Sequence, residues 1–425
     1  MTEAKVEEEA FERPSTWASL QFPEYRTLFT SGILIFVAVQ AQQIARGQLA
    51  FDLTGSNKGL GAVYLGFGLP MLILTPFGGV AADRLPKRTV LLAAQTCLVL
   101  SAAWIALAGV FGALEYWMLI GAAFLQGAGF SIFGPTRVAF TGELVPRTLI
   151  GNAVALTQVS LNSTRVVAPA LAGVLISFKA FGTTGVYVLT AIIMTLSLGV
   201  TFRLPKRPAA SRTSDRSVVG EFVDGVRYAR RDPLLKMLIL SSFVMVMAGW
   251  PYLAFLPAVS NDLFDAGSAG LGTMSSVSAV AALAVTFWIA GRTRPNQAWR
   301  VQSVSGVCLA LGLLALAAAP TFQWALVALL VVGGAASGYQ AMNNTIVLTV
   351  TDLEYHGRVQ SLLMLSFSGF GLAALPLGAV ADEVGLRTMF IIMGSVCLVT
   401  MVVYISVQAR HRRRGGNFDL ESSPA

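Results

Sequence analysis

Residues 388–409 read TMFIIMGSVCLVTMVVYISVQA, a run without Asp, Glu, Lys or Arg, and residues 184–202 and 301–319 are equally free of charge. About 20 apolar residues coiled as a helix match the hydrocarbon thickness of a bilayer. Backbone N–H and C=O groups in lipid must pair within their own segment, so each run is read as a helix. Working outward, the same pattern recurs, and twelve spans are predicted at roughly 27–51, 60–82, 89–111, 115–136, 151–177, 184–203, 233–259, 268–291, 300–319, 321–347, 358–381 and 387–409. The composition agrees: 55% of the 425 residues are hydrophobic and 12% charged, where a soluble domain carries about 25% charged residues. A soluble enzyme is excluded on these grounds.

The expected division is an N-terminal tail (1–26), a six-helix half (27–203), a linker (204–232), a second six-helix half (233–409) and a basic tail (410–425). Residues 1–26 are acidic and lack an apolar core, so the first apolar stretch is expected to be a retained helix and not a cleaved signal. The loops and adjoining span ends on the side of the termini hold 25 Lys and Arg, those on the opposite side only Lys58, Lys179 and Arg387, and Arg46 and Arg165 remain deeper inside spans. Basic residues favour cytoplasmic loops, which predicts a multi-pass protein of the plasma (inner) membrane with both termini cytoplasmic. The net charge of +8 is then a topology signal facing the anionic inner leaflet, not a nucleic-acid site. Within the linker, residues 217–232 place Phe222, Val223, Val226 and Tyr228 among charges, the pattern of a short interfacial helix.

The halves resemble each other. A shift of 206 places Gly127 on Gly333, Gly151 on Gly357 and Leu156 on Leu362, and a shift of 207 places Pro169 on Pro376. Repeats of this kind are a common plan of secondary transporters.

Three motifs give a family resemblance. After span two comes Gly79-Val-Ala-Ala-Asp83-Arg84-Leu-Pro86-Lys87-Arg88. It resembles the signature loop of the major facilitator superfamily, with Pro86 in place of the usual second Gly. Asn162-Ser-Thr-Arg165-Val-Val-Ala168-Pro169-Ala-Leu-Ala-Gly173 is similar to the antiporter motif of span five, with Ala168 where Gly is usual. Phe51-Asp52-Leu53-Thr54-Gly55-Ser56 and Gly357-Arg358-Val359-Gln360-Ser361 resemble the drug:proton antiporter-3 branch, which includes enterobactin-type and macrolide exporters. Many drug:proton antiporters carry an Arg three residues before a Gln-Gly pair in span four, whereas here Ala123 precedes Gln126-Gly127. The resemblance implies an all-α membrane protein of twelve transmembrane helices in two six-helix pseudo-repeats. It also implies a gating loop of Gly79, Asp83, Arg84, Lys87 and Arg88, and an antiporter-like motif of Asn162, Arg165, Pro169 and Gly173. The family fold sets Asp83 against the start of span eleven as a latch. Gly378-Ala-Val-Ala-Asp382 with Gly385 and Arg387 imitates the loop on the opposite side, and Asp382 is expected to matter much less than Asp83.

Polar groups inside lipid are costly and mark pathways or helix contacts. Span one carries Gln40, Gln42, Gln43, Arg46 and Gln48, of which Gln42, Gln43 and Arg46 share one face. Gln158, Asn162 and Arg165 share a face of span five, and Tyr339, Gln340, Asn343 and Asn344 one of span ten. Gln40, Gln43, Arg46, Gln158, Tyr339, Gln340, Asn343 and Asn344 are the candidate substrate cavity. Interhelical amide bonds contribute only about 0.6 kcal/mol each, so plain packing is an even competitor for any one amide. Arg46 stands six residues before Asp52 and is within snorkelling reach of the outer interface. Arg165 lies 14 residues past Gly151, about 21 Å into a core about 30 Å thick.

No Asp or Glu lies mid-span, which favours neutral or anionic substrates over cations. Cys97, Cys308 and Cys397 lie in apolar runs and read as small hydrophobes. No metal, cofactor or nucleotide-binding loop is expected. The expected partners are a small-molecule substrate, the lipid bilayer and protons, with a monomeric chain. The leading function is secondary-active export by alternating access. An uptake permease of the same fold and a non-transporting membrane sensor or assembly factor compete with it.

Overall fold

The computed structural model describes residues 17–178, 181–207, 218–292, 297–352 and 355–413. Among them the chain is helical without strands. The first half holds α1 (Pro23–Thr54), α2 (Asn57–Arg84), α3 (Lys87–Val110), α4 (Tyr116–Leu144), α5 (Ile150–Ser177) and α6 (Gly182–Thr201). A short helix, α7 (Val218–Arg231), follows in the linker. The second half holds α8 (Pro233–Gly249) and α9 (Tyr252–Ala258), which with a π-turn at Val259–Leu263 make one crossing, then α10 (Gly267–Arg292), α11 (Ala298–Ala318), α12 (Phe322–Val350), α13 (His356–Val384) and α14 (Leu386–Arg413). Eleven of these segments are long and apolar enough to cross a membrane among the described residues, and α13 completes the twelve crossings. We call the end of the bundle that holds Pro23 and Thr201 the near end, and the opposite end the far end.

The repeat is visible in how the helices are buried. From Gln21 to Gln40 and from Arg231 to Trp250 the sequence of buried, half-buried and exposed positions is the same except at Ala38 and Ala248. Tyr25 and Leu235, Leu28 and Leu238, Ile35 and Met245, Phe36 and Val246 are the matching core residues. Gly127 and Gly333 do the same work in each half. A Cβ on Gly127 would strike the Phe67 carbonyl oxygen of α2, and one on Gly333 the Ser278 carbonyl oxygen of α10. Small residues let transmembrane backbones approach this closely.

Polar pins hold each half together. In the first, Ser31 Oγ of α1 meets Ser197 Oγ and Thr201 Oγ1 of α6 at 2.9 and 2.7 Å, and Gln95 Nε2 of α3 donates to Ser31 Oγ at 2.9 Å. In the second, Tyr404 OH donates to Gln302 Oε1 at 2.5 Å, and Gln302 Nε2 donates to Asn343 Oδ1 at 2.8 Å. α7 is tied to the second half: Tyr228 stacks on Tyr355 with centroids 4.1 Å apart, and its hydroxyl donates to Asp352 Oδ2 at 3.1 Å. Burial first, opposed in part by the Asp352 backbone N–H, holds the Tyr228 phenol above its ordinary value, so it stays a donor.

One boundary differs from the sequence reading. Span four was expected to end at 136, which put Arg137 in a loop. α4 instead runs through Pro135 to Leu144, and Arg137 is buried inside it. Transmembrane helices tolerate an interior proline because neighbours satisfy the freed backbone group. The described spans therefore contain three arginines deep in the first half: Arg46, Arg137 and Arg165.

Candidate functional site

The halves meet directly at the far end. Gly173 of α5 lies against Gly272 of α10, with the Gly272 Cα 2.5 Å from where a Gly173 Cβ would stand. A Cβ on Gly47 of α1 would lie 3.3 Å from Pro257 of α9. Tyr64 of α2 packs edge-on against Phe370 of α13, centroids 5.3 Å apart. The inter-half face of α1 is covered there, with Ile44, Gly47 and Gln48 buried. Towards the near end the same face opens: Gln43, Gln40, Val37 and Ile33 are half-buried, and Thr30 and Arg26 are exposed. The side chains of Gln40 and Gln43 thus border open space below a sealed end.

Arg165 borders the same space. On α5, Val159, Val167, Leu171 and Val174 are exposed and apolar, the mark of a lipid-facing side. Arg165 is nine residues from Val174, about 180° round the helix at 3.6 residues per turn. It is exposed although it sits deep within the protein mass. An exposed cation on the side away from lipid faces an internal chamber. Among the described residues no carboxylate pairs with it. Gln158 and Asn162 belong to α5, but their side chains lie outside those described, as do those of Asp83, Arg358 and Gln360.

Arg46 does not snorkel. It is 5% exposed, and its Nη1 donates to Gln126 Oε1 of α4 at 2.7 Å. Its Cζ lies 5.1 Å from the Tyr64 ring centroid and 5.0 Å from that of Phe67, cation–π distances on both sides. Gln126 in turn donates to Gln42, whose Nε2 donates to Thr190 Oγ1 of α6 at 2.9 Å. The charge is housed by amide and aromatic faces, and among the described residues its Nε has no partner. Ala123, which precedes Gln126 on α4, is buried.

The polar arc of α12 divides. Tyr339 and Asn343 point into the second half and are fully buried, with Asn343 bonded to Gln302. Gln340 and Asn344 are half-buried, and Gln340 Nε2 donates to Asn344 Oδ1 at 3.1 Å. Tyr339 and Asn343 are thus core residues, and Gln340 and Asn344 alone of the four keep access to open space.

The loop after α2 is stapled within its own half. Lys87 Nζ meets Glu143 Oε1 of α4 at 2.5 Å, and Arg88 Nη2 donates to the Phe202 carbonyl beyond α6 at 2.6 Å. Arg84 is exposed. Gly79 and Asp83 lie in the last two turns of α2. Pro169 sits inside α5, as its counterpart Pro376 sits inside α13.

Two residues escaped the sequence reading. Arg137 of α4 has its Cζ 4.7 Å from the Phe36 ring centroid, and it fills the space that a Cβ on Gly32 would need. Asp382, expected to be a bystander, spans the two halves. Its carboxylate accepts from Ser56 Oγ at 2.7 Å, Asn57 N at 2.8 Å, Asn57 Nδ2 at 3.0 Å and Lys58 N at 2.8 Å. The charge count gave its side of the membrane but not its partner, which is the start of α2.

Known proteins carry the same architecture. The nucleoside transporter NupG covers 90% of this chain and 98% of its own at a TM-score of 0.69 and 14% identity. A POT family transporter in complex with 5-aminolevulinic acid covers 91% and 96% at a TM-score of 0.70 and 13% identity. In sequence, the macrolide efflux protein A of Streptococcus pyogenes is 23% identical over 82% of this chain and 87% of its own. The staphyloferrin A transporter of Staphylococcus aureus is 24% identical over 88% and 94%. YfiS of Bacillus subtilis, an uncharacterised MFS-type transporter, is 26% identical over 46% of each chain. The model of the transmembrane secretion effector family matches residues 14–423. With twelve crossings in two repeated halves and that match over nearly its whole length, this chain belongs to that family of major facilitator transporters.

Proposed function

We propose that this transporter exports a small neutral or anionic organic molecule from the cytoplasm by alternating access, driven by protons, and carries out no covalent chemistry on it. The observation that carries the substrate class is Arg165: a guanidinium facing an internal chamber with no acidic partner among the described residues attracts an anion or a strong hydrogen-bond acceptor and repels cations. Gln40, Gln43, Gln340 and Asn344 add neutral donors and acceptors, with Gln158 and Asn162 on the Arg165 helix. Export is supported by relatives named for macrolide efflux and staphyloferrin A transport. The asymmetry of basic loops supports cytoplasmic termini and an inner-membrane location. The near end is then the cytoplasmic mouth, and a chamber closed at the far end is loaded from inside. A monomer suffices, because chamber and seal lie within one chain.

In inverted vesicles, substrates drawn from a panel of anionic, neutral and cationic molecules should accumulate on energisation, and an uncoupler should abolish accumulation. Accumulation in right-side-out vesicles instead would establish uptake. Flux with neither orientation, together with a firm protein partner on purification, would establish the sensor reading.

Asp83 ends α2 at the near end, level with the start of α13. Helix N-termini favour a nearby carboxylate, so Asp83 latches the halves when the near end is closed. Asp83→Asn is expected to impair export and to raise cysteine accessibility in the near half of the chamber. Normal export with unchanged accessibility would leave the loop as a topology signal.

A further inference from the structure

At the far end the roles of α2 and α13 are reversed. The first N–H groups of a helix have no partner inside it. At the start of α2, Ser56 Oγ caps Gly59 N at 3.3 Å, and the N–H groups of Asn57 and Lys58 remain. Asp382, in the last turns of α13, meets both: Oδ1 takes Asn57 N and Nδ2, and Oδ2 takes Lys58 N and Ser56 Oγ. One carboxylate thus accepts four hydrogen bonds and sits at the positive end of the α2 dipole. Below it the two backbones are in contact. A Cβ on Gly378 would strike the Asn57 carbonyl, one on Gly61 would lie 2.6 Å from Leu375 Cα, and one on Gly371 would lie 2.8 Å from Gly68 Cα.

These contacts join opposite halves. Any movement that opens the far end must break all four hydrogen bonds at once, so they act on one conformation only. A contact made in one state and absent in the other shifts the equilibrium by its full value. We propose that Asp382 is a positioning residue for transport: its carboxylate clasps the first turn of α2 and holds the far end of the path shut. This rests on the alternating-access reading. The α2–α13 pair runs antiparallel, so Asp382 at the far end of α13 holds the place that Asp83 holds at the near end of α2.

Spin labels at Phe111 and Pro320, both exposed far-end positions in opposite halves, report the separation there in a full-length protein whose three cysteines are replaced. The wild type should show mainly the short distance, with a minor long one. Asp382→Asn keeps the shape but loses the charge and turns an NH2 group towards N–H donors. It should raise the ratio of long to short distances about tenfold, the scale of a well-placed charge at a helix terminus. Lys58→Pro removes one of the four donors in the first helical turn, where proline is tolerated, and leaves the carboxylate intact. It should shift the ratio in the same direction by less, and it stands as the test if Asp382→Asn fails to accumulate. An unchanged ratio in either folded variant, where the wild type shows both distances, overturns the clasp alone. A single distance in the wild type that neither substrate nor a proton gradient alters overturns alternating access, and the clasp with it.

Discussion

Arg165→Gln is expected to abolish export while the protein remains in the membrane at wild-type level. The side chain is exposed to the chamber and, among the described residues, holds no partner that its loss would strand. Removing an unpaired, exposed cation does not cost stability the way breaking a buried pair does. The substrate, by contrast, loses a charge-assisted hydrogen bond worth about 1.5–3 kcal/mol, a factor of roughly 10–100 in affinity. Arg165→Lys keeps the charge but not the two-pronged donor geometry, so it should retain a small part of the flux. Vesicle transport at matched protein level is the measurement. Export at the wild-type rate by the Gln variant would remove any required charge at this position. A preference of the wild type for cations would refute the anionic or neutral class.

Gly127→Val and Gly333→Val should each prevent accumulation of folded protein. The atom each new side chain would meet is a backbone carbonyl oxygen, of Phe67 and Ser278 respectively. A backbone oxygen inside a helix cannot swing aside as a flexible side chain can. Pro70 Cγ closes the space at Gly127 further, at 2.8 Å from the added Cβ. Overpacking typically costs about 1–3 kcal/mol, and a clash with rigid backbone belongs at the upper end. Both substitutions act within a half and not between halves, so neither should be rescued by substrate. Membrane yield and the thermal midpoint in detergent test this. Equal loss at the two sites is the outcome that a common repeat requires, and wild-type yield of either variant would contradict it.

Much of this was legible in the chain. Apolar runs and loop charges were enough to place twelve crossings, because the bilayer enforces length and the exclusion of charge on each segment separately. The matched glycines at 127 and 333 reported a real crossing in each half. The failures came where tertiary contact decides. Span four was expected to end at 136, which placed Arg137 outside, whereas α4 runs on through Pro135 to Leu144. The proximity of Asp52 drew Arg46 towards the interface, while its true acceptor, Gln126, belongs to another helix. Tyr339, Gln340, Asn343 and Asn344 occupy one broad arc, and a helical wheel does not say which edge of an arc meets the core. Asp382 was visible as an imitation of the signature loop, but the donors that give it meaning lie some 325 residues away in the sequence.

The fastening of α7 bears on how the two halves move. Tyr228 and Asp352 make two reciprocal hydrogen bonds of 3.1 Å each, beside the Tyr228–Tyr355 stack. The linker is therefore not a slack tether shared evenly between its ends. Its helical part travels with the second half, as Arg207, bound to Glu24 and to the Glu143 carbonyl, travels with the first, so each half carries its own end of the linker.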